Sequence, residues 1–402
     1  MKYDFTSIID RKGLDSIAAE PNFSPDGWYK CERPDVEDMI PMWVADMNFK
    51  TLPDITEKMI ERAKHPLFGY FNIRDEYYDA IINWQKDQNN IDNLKRENIG
   101  YENGVLGGVV SALEVLAEKA APVLVNSPTY VGFTHALEDN GYTIIHSPLI
   151  KDENGVWRLD YEDMDKKIKA HKIHVAIFCS PHNPCGRVWE RWEIEKAMEV
   201  YKNNDVYVIS DEIWSDLTLY GNKHIPTQSV SEDARNRTVA LYAPSKTFNL
   251  AGLIGSYHII YNKYLKDRID FYETSTHYNS INMMSMYALM GAYSENGKEW
   301  VEELRQVLAD NVDFAYNYIK ENFEGVDVFK PEGTYMLFID CKQWCLKHNT
   351  TLEQLWKAGV AKGVLWQDGR PFHNEYAIRI NLALPTSRVK EAFERLNTIF
   401  NA

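Results

Sequence analysis

Cysteine is scarce in this chain of 402 residues, and the five present build no framework. Cys31, Cys179, Cys185, Cys341 and Cys345 are scattered and odd in number. That argues against a disulfide-stapled scaffold and for a reducing compartment. Cys341 and Cys345 have the spacing of half a metal site, but no second half matches them, so no metal is expected. Long hydrophobic runs are missing too. No segment approaches the roughly 18 uncharged apolar residues of a membrane span, so no membrane partner is expected. The opening "MKYDFTSIIDRKG" lacks the apolar centre of a signal peptide, and a cytoplasmic protein is the expectation. No block of lysine or arginine interrupts a net charge of −15, which argues against a nucleic-acid partner. The dinucleotide fingerprint GxGxxG is absent, so no nicotinamide site is expected. Internal repeats and low-complexity linkers are absent as well.

What is there suits a large enzyme. Apolar residues make up 45% of the chain and are spread along its length, unlike a disordered sequence. The length fits two domains, or one domain with a smaller lobe. The first fifty residues are irregular and rich in Pro, Asp and Trp, and read as an arm packed on something else. Apolar Ile55, Met59 and Ile60 predict a helix over 53–64, and another is expected over 74–88. The middle then alternates. "APVLVNSP", "TIIHSPL", "HVAIFCSPHNP", "VYVISDEI", "TVALYAPSK" and "GSYHIIYN" are short apolar runs with helical patterns between them. This predicts an α/β fold with a mostly parallel sheet covered on both faces. A long helix over 297–322 and the runs "GTYMLFID" and "YAIRINLAL" predict a smaller α+β lobe. The expected organisation is an arm over 1–50 packing with the small domain, a large domain over 51–285 and a small domain over 286–402.

Ligands of such sheets sit at the carboxyl ends of the strands. Three runs end there in reactive residues: Asn183, Asp211 and the pair Ser245-Lys246. Each alone has an ordinary reading as a turn residue, a helix cap or a surface lysine. Together, in neighbouring strands, they point into one crevice. A lysine there is costly while charged, so its amine turns nucleophilic and can condense with an aldehyde. An aspartate there needs a cation. Pyridoxal 5'-phosphate answers both needs, with its aldehyde for Lys246 and its protonated ring nitrogen for Asp211. Gly107-Gly108 before a helical pattern suits its phosphate. Arg379, inside the apolar "AIRINLAL", would be an expensive buried charge without an anionic ligand. His182 and Cys185 read as structural.

At these residues the chain resembles the pyridoxal-phosphate enzymes of the aspartate-aminotransferase fold (fold type I), and most of all their cystathionine β-lyase/cystalysin branch. The stretches that carry the resemblance run in family order over nearly the whole chain. They are "PMWVADMNF", "HPLFGY", "GGVVSAL", "SPTYVGF", "CSPHNPCGRVW", "SDEIWSDL", "APSKTFNLAG", "EGTYMLFID" and "RINLALP". The resemblance implies that Lys246 carries the cofactor and moves protons. It implies that Asp211 pairs with the ring nitrogen, Asn183 contacts the phenolic oxygen and Tyr130 stacks on the ring. Gly108, Val109, Val110 and Ser245 would hold the phosphate, and Tyr70 would reach it from the other subunit of a homodimer with shared active sites. Arg379 would clamp the substrate carboxylate, with Trp43 and Tyr335 beside it.

The chain departs from the pattern at Trp214, where relatives carry Tyr or His, and an indole offers only an N–H toward the phenolic oxygen. It also lacks the arginine that aminotransferases carry shortly after the lysine, as the lyases do. "LDSIAAE" lacks the Lys-Trp pair common in the branch. The implied activity is a C–S β-lyase acting on a sulfur-bearing L-amino acid such as cystathionine. An aminotransferase and a regulator that binds a transcription factor are the alternatives.

Overall fold

The computed structural model describes residues 1–278 and 280–401. The chain forms two compact units. The larger comprises Thr51–Asn183 and Arg187–Glu302, and the smaller Met1–Lys50, Pro184–Gly186 and Glu303–Ala402. The division falls inside the helix Glu295–Asn322.

The larger unit is built on seven strands. In chain order they are β1 (Ile99–Glu102), β2 (Pro122–Ser127), β3 (Thr143–Pro148), β4 (Val175–Cys179), β5 (Tyr207–Asp211), β6 (Thr238–Tyr242) and β7 (Ser256–Ile259). Their order across the sheet is β1-β7-β6-β5-β4-β2-β3. The pairs among β6, β5, β4, β2 and β3 are parallel. β7 runs antiparallel to both its neighbours, unlike the parallel alignment its apolar pattern suggested. The cause is the connection. Residues 243–255 contain no crossover helix, only a single 3-10 turn at Ala251–Leu253, and a parallel return needs a crossover. β1 is short and carries Gly100, so apolar patterning missed it.

The core follows from the predicted apolar positions. Helix Val105–Leu116 lays Val109, Ala112 and Leu113 against Val123, Ile177, Val239 and Leu241, all buried. Each of the Val, Leu and Ile side chains contributes about 1.5–3 kcal/mol by leaving water. Gly108 permits the close approach: a Cβ there would stand 2.6 Å from Leu241 Cδ2. Helix Pro53–Ala63 opens on Pro53 and Asp54 and closes on Arg62, which matches the helix dipole. It buries Ile55 against helix Met283–Ala292, where Gly291 lets the two backbones meet.

The smaller unit carries a four-stranded antiparallel sheet. Its order is Asp327–Val328, Met336–Asp340, Ala377–Asn381, Gln367–Asp368. Residues 1–50 are fastened to this unit by backbone pairing. Ile40–Pro41 runs parallel to Val364–Leu365, and Asn381 Nδ2 donates to the carbonyls of Val44 and Asp46 at 2.8 Å each.

Candidate active site

The register of the central strands levels three chain segments. Cys179 pairs with Asp211, and Asp211 with Leu241, so the carboxyl ends of β4, β5 and β6 lie side by side. Asn183, Asp211 and Lys246 each sit at or four residues beyond one of these ends. Asp211 is buried, and its Oδ1 accepts the amide of Ile213 at 3.0 Å. Burial pushes its carboxyl up to about 7; the Ile213 amide and the Lys246 charge pull the other way without offsetting it. Lys246 is half-buried and close enough for its charge to reach Asp211. Asn183 is buried, with its amide on Cys179 Sγ at 3.5 Å.

The loop that carries Lys246 is held on both sides. Thr247 Oγ1 donates to Asp216 Oδ2 at 2.8 Å, and Asp216 Oδ1 accepts the indole of Trp84 at 3.0 Å. Thr51 Oγ1 donates to the Phe248 carbonyl at 2.7 Å. The Ser245 carbonyl accepts the Leu250 amide at 3.0 Å, so half-buried Ser245 is part of the turn. Asp216 and Thr247 were not singled out in the sequence. The second aspartate of "SDEIWSD" was the available signal.

Helix Val105–Leu116 begins after Gly104, whose φ of +78° suits glycine. Gly108 N–H already donates to the Gly104 carbonyl at 3.0 Å. Gly108, Val109 and Val110 therefore lie within the helical ladder, and the amides that precede it belong to Val105, Leu106 and Gly107. Gly108 serves here through its missing side chain. Gly104, one turn earlier, was the sequence signal for the free amides.

Other predicted residues fall as follows. Tyr130 precedes helix Val131–Asp139, with its ring edge-on to Phe133 at 5.4 Å. Trp214 is buried, three residues past Asp211. Tyr70 is fully exposed, beside exposed Leu67 and Phe68. His182 is buried edge-on to Trp189, and burial lowers it to about 3, so the ring stays neutral.

In the smaller unit, Arg379 is buried in one of the two inner strands of its sheet. One of its nitrogens, Nη2, donates to the Trp43 carbonyl at 3.2 Å and to Gln367 Oε1 at 2.5 Å. The guanidinium lies 4.6 Å from the Phe372 ring centroid. Trp43 is buried, and its indole donates to the Ala18 carbonyl at 3.1 Å. With Trp28, Tyr29, Trp356 and Trp366 it walls a cavity of about 510 Å³ that Gln367 also lines. Tyr335 is fully buried, its carbonyl accepting the Leu382 amide.

Known proteins are similar to this chain over most or all of its length. Residues 37–396 match the family described as aminotransferase class I and II. Cystathionine beta-lyase PatB of Bacillus subtilis is 32% identical over 90% of this chain and 92% of its own length. A PLP-bound C-S lyase from Staphylococcus hominis superposes with a TM-score of 0.89 at 28% identity, covering 100% of this chain and 99% of that one. A PLP-bound protein of Clostridium difficile 630, provisionally named an aminotransferase, gives 0.91 at 34% with both chains fully covered. With its parallel-centred sheet, its lysine loop and this match over nearly its full length, the chain belongs to the aminotransferase class I and II family.

Proposed function

We propose that this protein is a pyridoxal 5'-phosphate-dependent carbon–sulfur β-lyase. It would convert an L-amino acid bearing sulfur on Cβ, with one water, into a thiol, pyruvate and ammonium. The observation that carries this reading is the buried Asp211 beside Lys246 at adjacent strand ends. Burial raises that carboxyl to about 7 despite the nearby Lys246 charge, so a further cation against it would be stabilising. A protonated ring nitrogen would supply one, and the neighbouring amine suits an aldehyde. The amides of Val105, Leu106 and Gly107 at a helix start suit a phosphate. The residues thus fit the group. The relatives named as cystathionine β-lyases and C–S lyases support the lyase chemistry.

When bound, the cofactor supplies a cationic ring that takes up the electron pair left at the substrate's Cα. Lys246 would remove the Cα proton as general base and return it to the departing sulfur. Thr247, anchored on Asp216, keeps the lysine loop in place for that transfer. Asp211 would hold the ring nitrogen protonated, Asn183 and Trp214 would donate toward the phenolic oxygen, and Tyr130 would cover the ring face. Ser245 joins the phosphate amides. Arg379 would bind the substrate's carboxylate with its guanidinium fork, and Gln367 fixes the orientation of that fork. Trp43 and Tyr335 would border the substrate.

The exposed Tyr70, flanked by Leu67 and Phe68, supports a homodimer in which this loop serves the partner's phosphate. Five cysteines outside any disulfide fit a cytoplasmic protein; among the described residues no helix is long and apolar enough to cross a membrane. An aminotransferase is the second reading, favoured by the full-length likeness to the Clostridium difficile protein. Both chemistries begin with the same proton transfer. Cofactor-loaded protein given L-cystathionine should release pyruvate and thiol without any 2-oxo acid. Turnover that requires a 2-oxo acid and yields no thiol makes it an aminotransferase instead.

A further inference from the structure

A second cluster of reactive groups lies in the larger unit, apart from the lysine loop. Glu102 ends β1, His258 lies in β7, and Glu273 projects from the last turn of helix Lys263–Thr276. All three are buried, at 1%, 0% and 8% exposure. One ligand atom from each falls within 4.8 Å of the other two. His258 Nδ1 stands 2.8 Å from Glu102 Oε1 and 3.7 Å from Glu273 Oε1. Independently, Glu273 Oε1 is a buried acceptor that no protein donor satisfies. It is aimed at the same histidine nitrogen.

The surroundings do not supply the missing charge. Lys266, whose charge reaches His258, spends its ammonium on both oxygens of Asp270 at 2.6 Å. Two glutamates in contact, buried together, therefore require a proton or a metal between them. The donor set is one imidazole nitrogen and two carboxylate oxygens. That mix suits a divalent first-row cation better than calcium or magnesium, which prefer oxygen alone. The outer nitrogen of His258 makes no hydrogen bond, with Asp270 Oδ1 4.0 Å away.

We propose that Glu102, His258 and Glu273 form a binding site for a divalent first-row transition cation. The ion would join β1, β7 and helix Lys263–Thr276. It would sit two residues before Gly104, and so brace the strand that leads into the first-turn amides of helix Val105–Leu116. Its role is structural, and the reaction proposed above does not use it.

The test uses cofactor-loaded protein, dialysed against chelator and then against Zn²⁺, with bound metal measured by elemental analysis. Wild type should retain one Zn²⁺ per chain. Glu273→Gln, which keeps the side chain's shape, should weaken Zn²⁺ at least tenfold while leaving the far-UV circular dichroism unchanged. Zn²⁺ should raise the melting temperature of wild type and not of the variant. A crystal grown with Zn²⁺ should give an anomalous peak between the three side chains, which keeps the site testable if the variant fails to fold. Wild type that retains no Zn²⁺, a variant that retains it equally, or an anomalous peak elsewhere would each overturn the site and leave a shared proton in its place.

Discussion

Among the described residues the larger unit buries two close glutamate–histidine pairs, and they differ in what else faces the carboxylate. Glu212 accepts from Ser210 Oγ at 2.9 Å and the Thr227 amide at 3.0 Å on one oxygen. On the other it meets Tyr242 OH at 2.5 Å and His224 Nε2 at 2.6 Å. Burial by itself would raise this carboxyl, yet His224 and the other donors hold it below its ordinary value. Glu102 faces His258 and a second carboxyl. Burial, then the charge of Glu102, push Glu273 up to about 9. A buried carboxylate is thus stable in proportion to the donors aimed at it, and the same residue pair becomes scaffold or open site by that count. Asp211 stands between the two, next in sequence to Glu212, with the Ile213 amide and the Lys246 charge only partly opposing its burial.

The largest effect should come from breaking the satisfied pair. Glu212→Gln places an amide group against four donors and should cost about 3–5 kcal/mol, read from the urea midpoint. If stability moves by less than about 1 kcal/mol, donor count does not govern these sites.

Asp211 sharpens the comparison through pH. Its folded carboxyl is raised from 3.8 to about 7, so the folded apoprotein favours the protonated form. The associated stability is fully present below the unfolded value and is lost as pH rises through about 7. Wild-type apoprotein should therefore lose up to about 4 kcal/mol relative to Asp211→Asn between acid and neutral pH. Parallel pH profiles for the two proteins would show that Asp211 is not strained by burial. Cofactor binding should flatten the wild-type profile.

Thr247→Val removes one donor from Asp216 and should cost about 1–2 kcal/mol. An equal loss in a variant already carrying Asp216→Asn would show that the two residues do not act together. Glu273→Gln, the same change as at Glu212, should alter metal-free stability by less than about 1 kcal/mol, because it replaces a carboxyl that is already protonated. A loss as large as that of Glu212→Gln would erase the distinction.

The sequence made the lysine site legible because parallel strands have a fixed chemistry at one end. Short apolar runs announced β4, β5 and β6, and the residues just past them needed no tertiary information. Arg379 was legible for a similar reason, as a charge in an apolar run. The glutamate–histidine clusters were not, because their members meet through pairing that patterning cannot see. Glu102 reaches His258 only because β7 turns antiparallel, and that reversal came from a missing crossover helix. The helix start was not legible, since glycine count drew attention to Gly107-Gly108 and away from the φ of Gly104. Asp216 and Thr247 carry no motif of their own, only a hydrogen bond across thirty-one positions.

The antiparallel β7 also sets a schedule for assembly. β1 lies at the sheet edge and pairs with β7, and the hydrogen bond from Ser256 to Glu102 spans 154 positions. As the chain leaves the ribosome, the strand that feeds helix Val105–Leu116 waits for a partner made much later. Contacts of such range form slowly, since the intervening loop must close first. Parallel strands β2 to β6 can associate before then, but the start of helix Val105–Leu116 cannot be locked. Cofactor capture therefore comes after completion of the large unit, and a nascent or truncated chain ending before β7 should bind no pyridoxal phosphate.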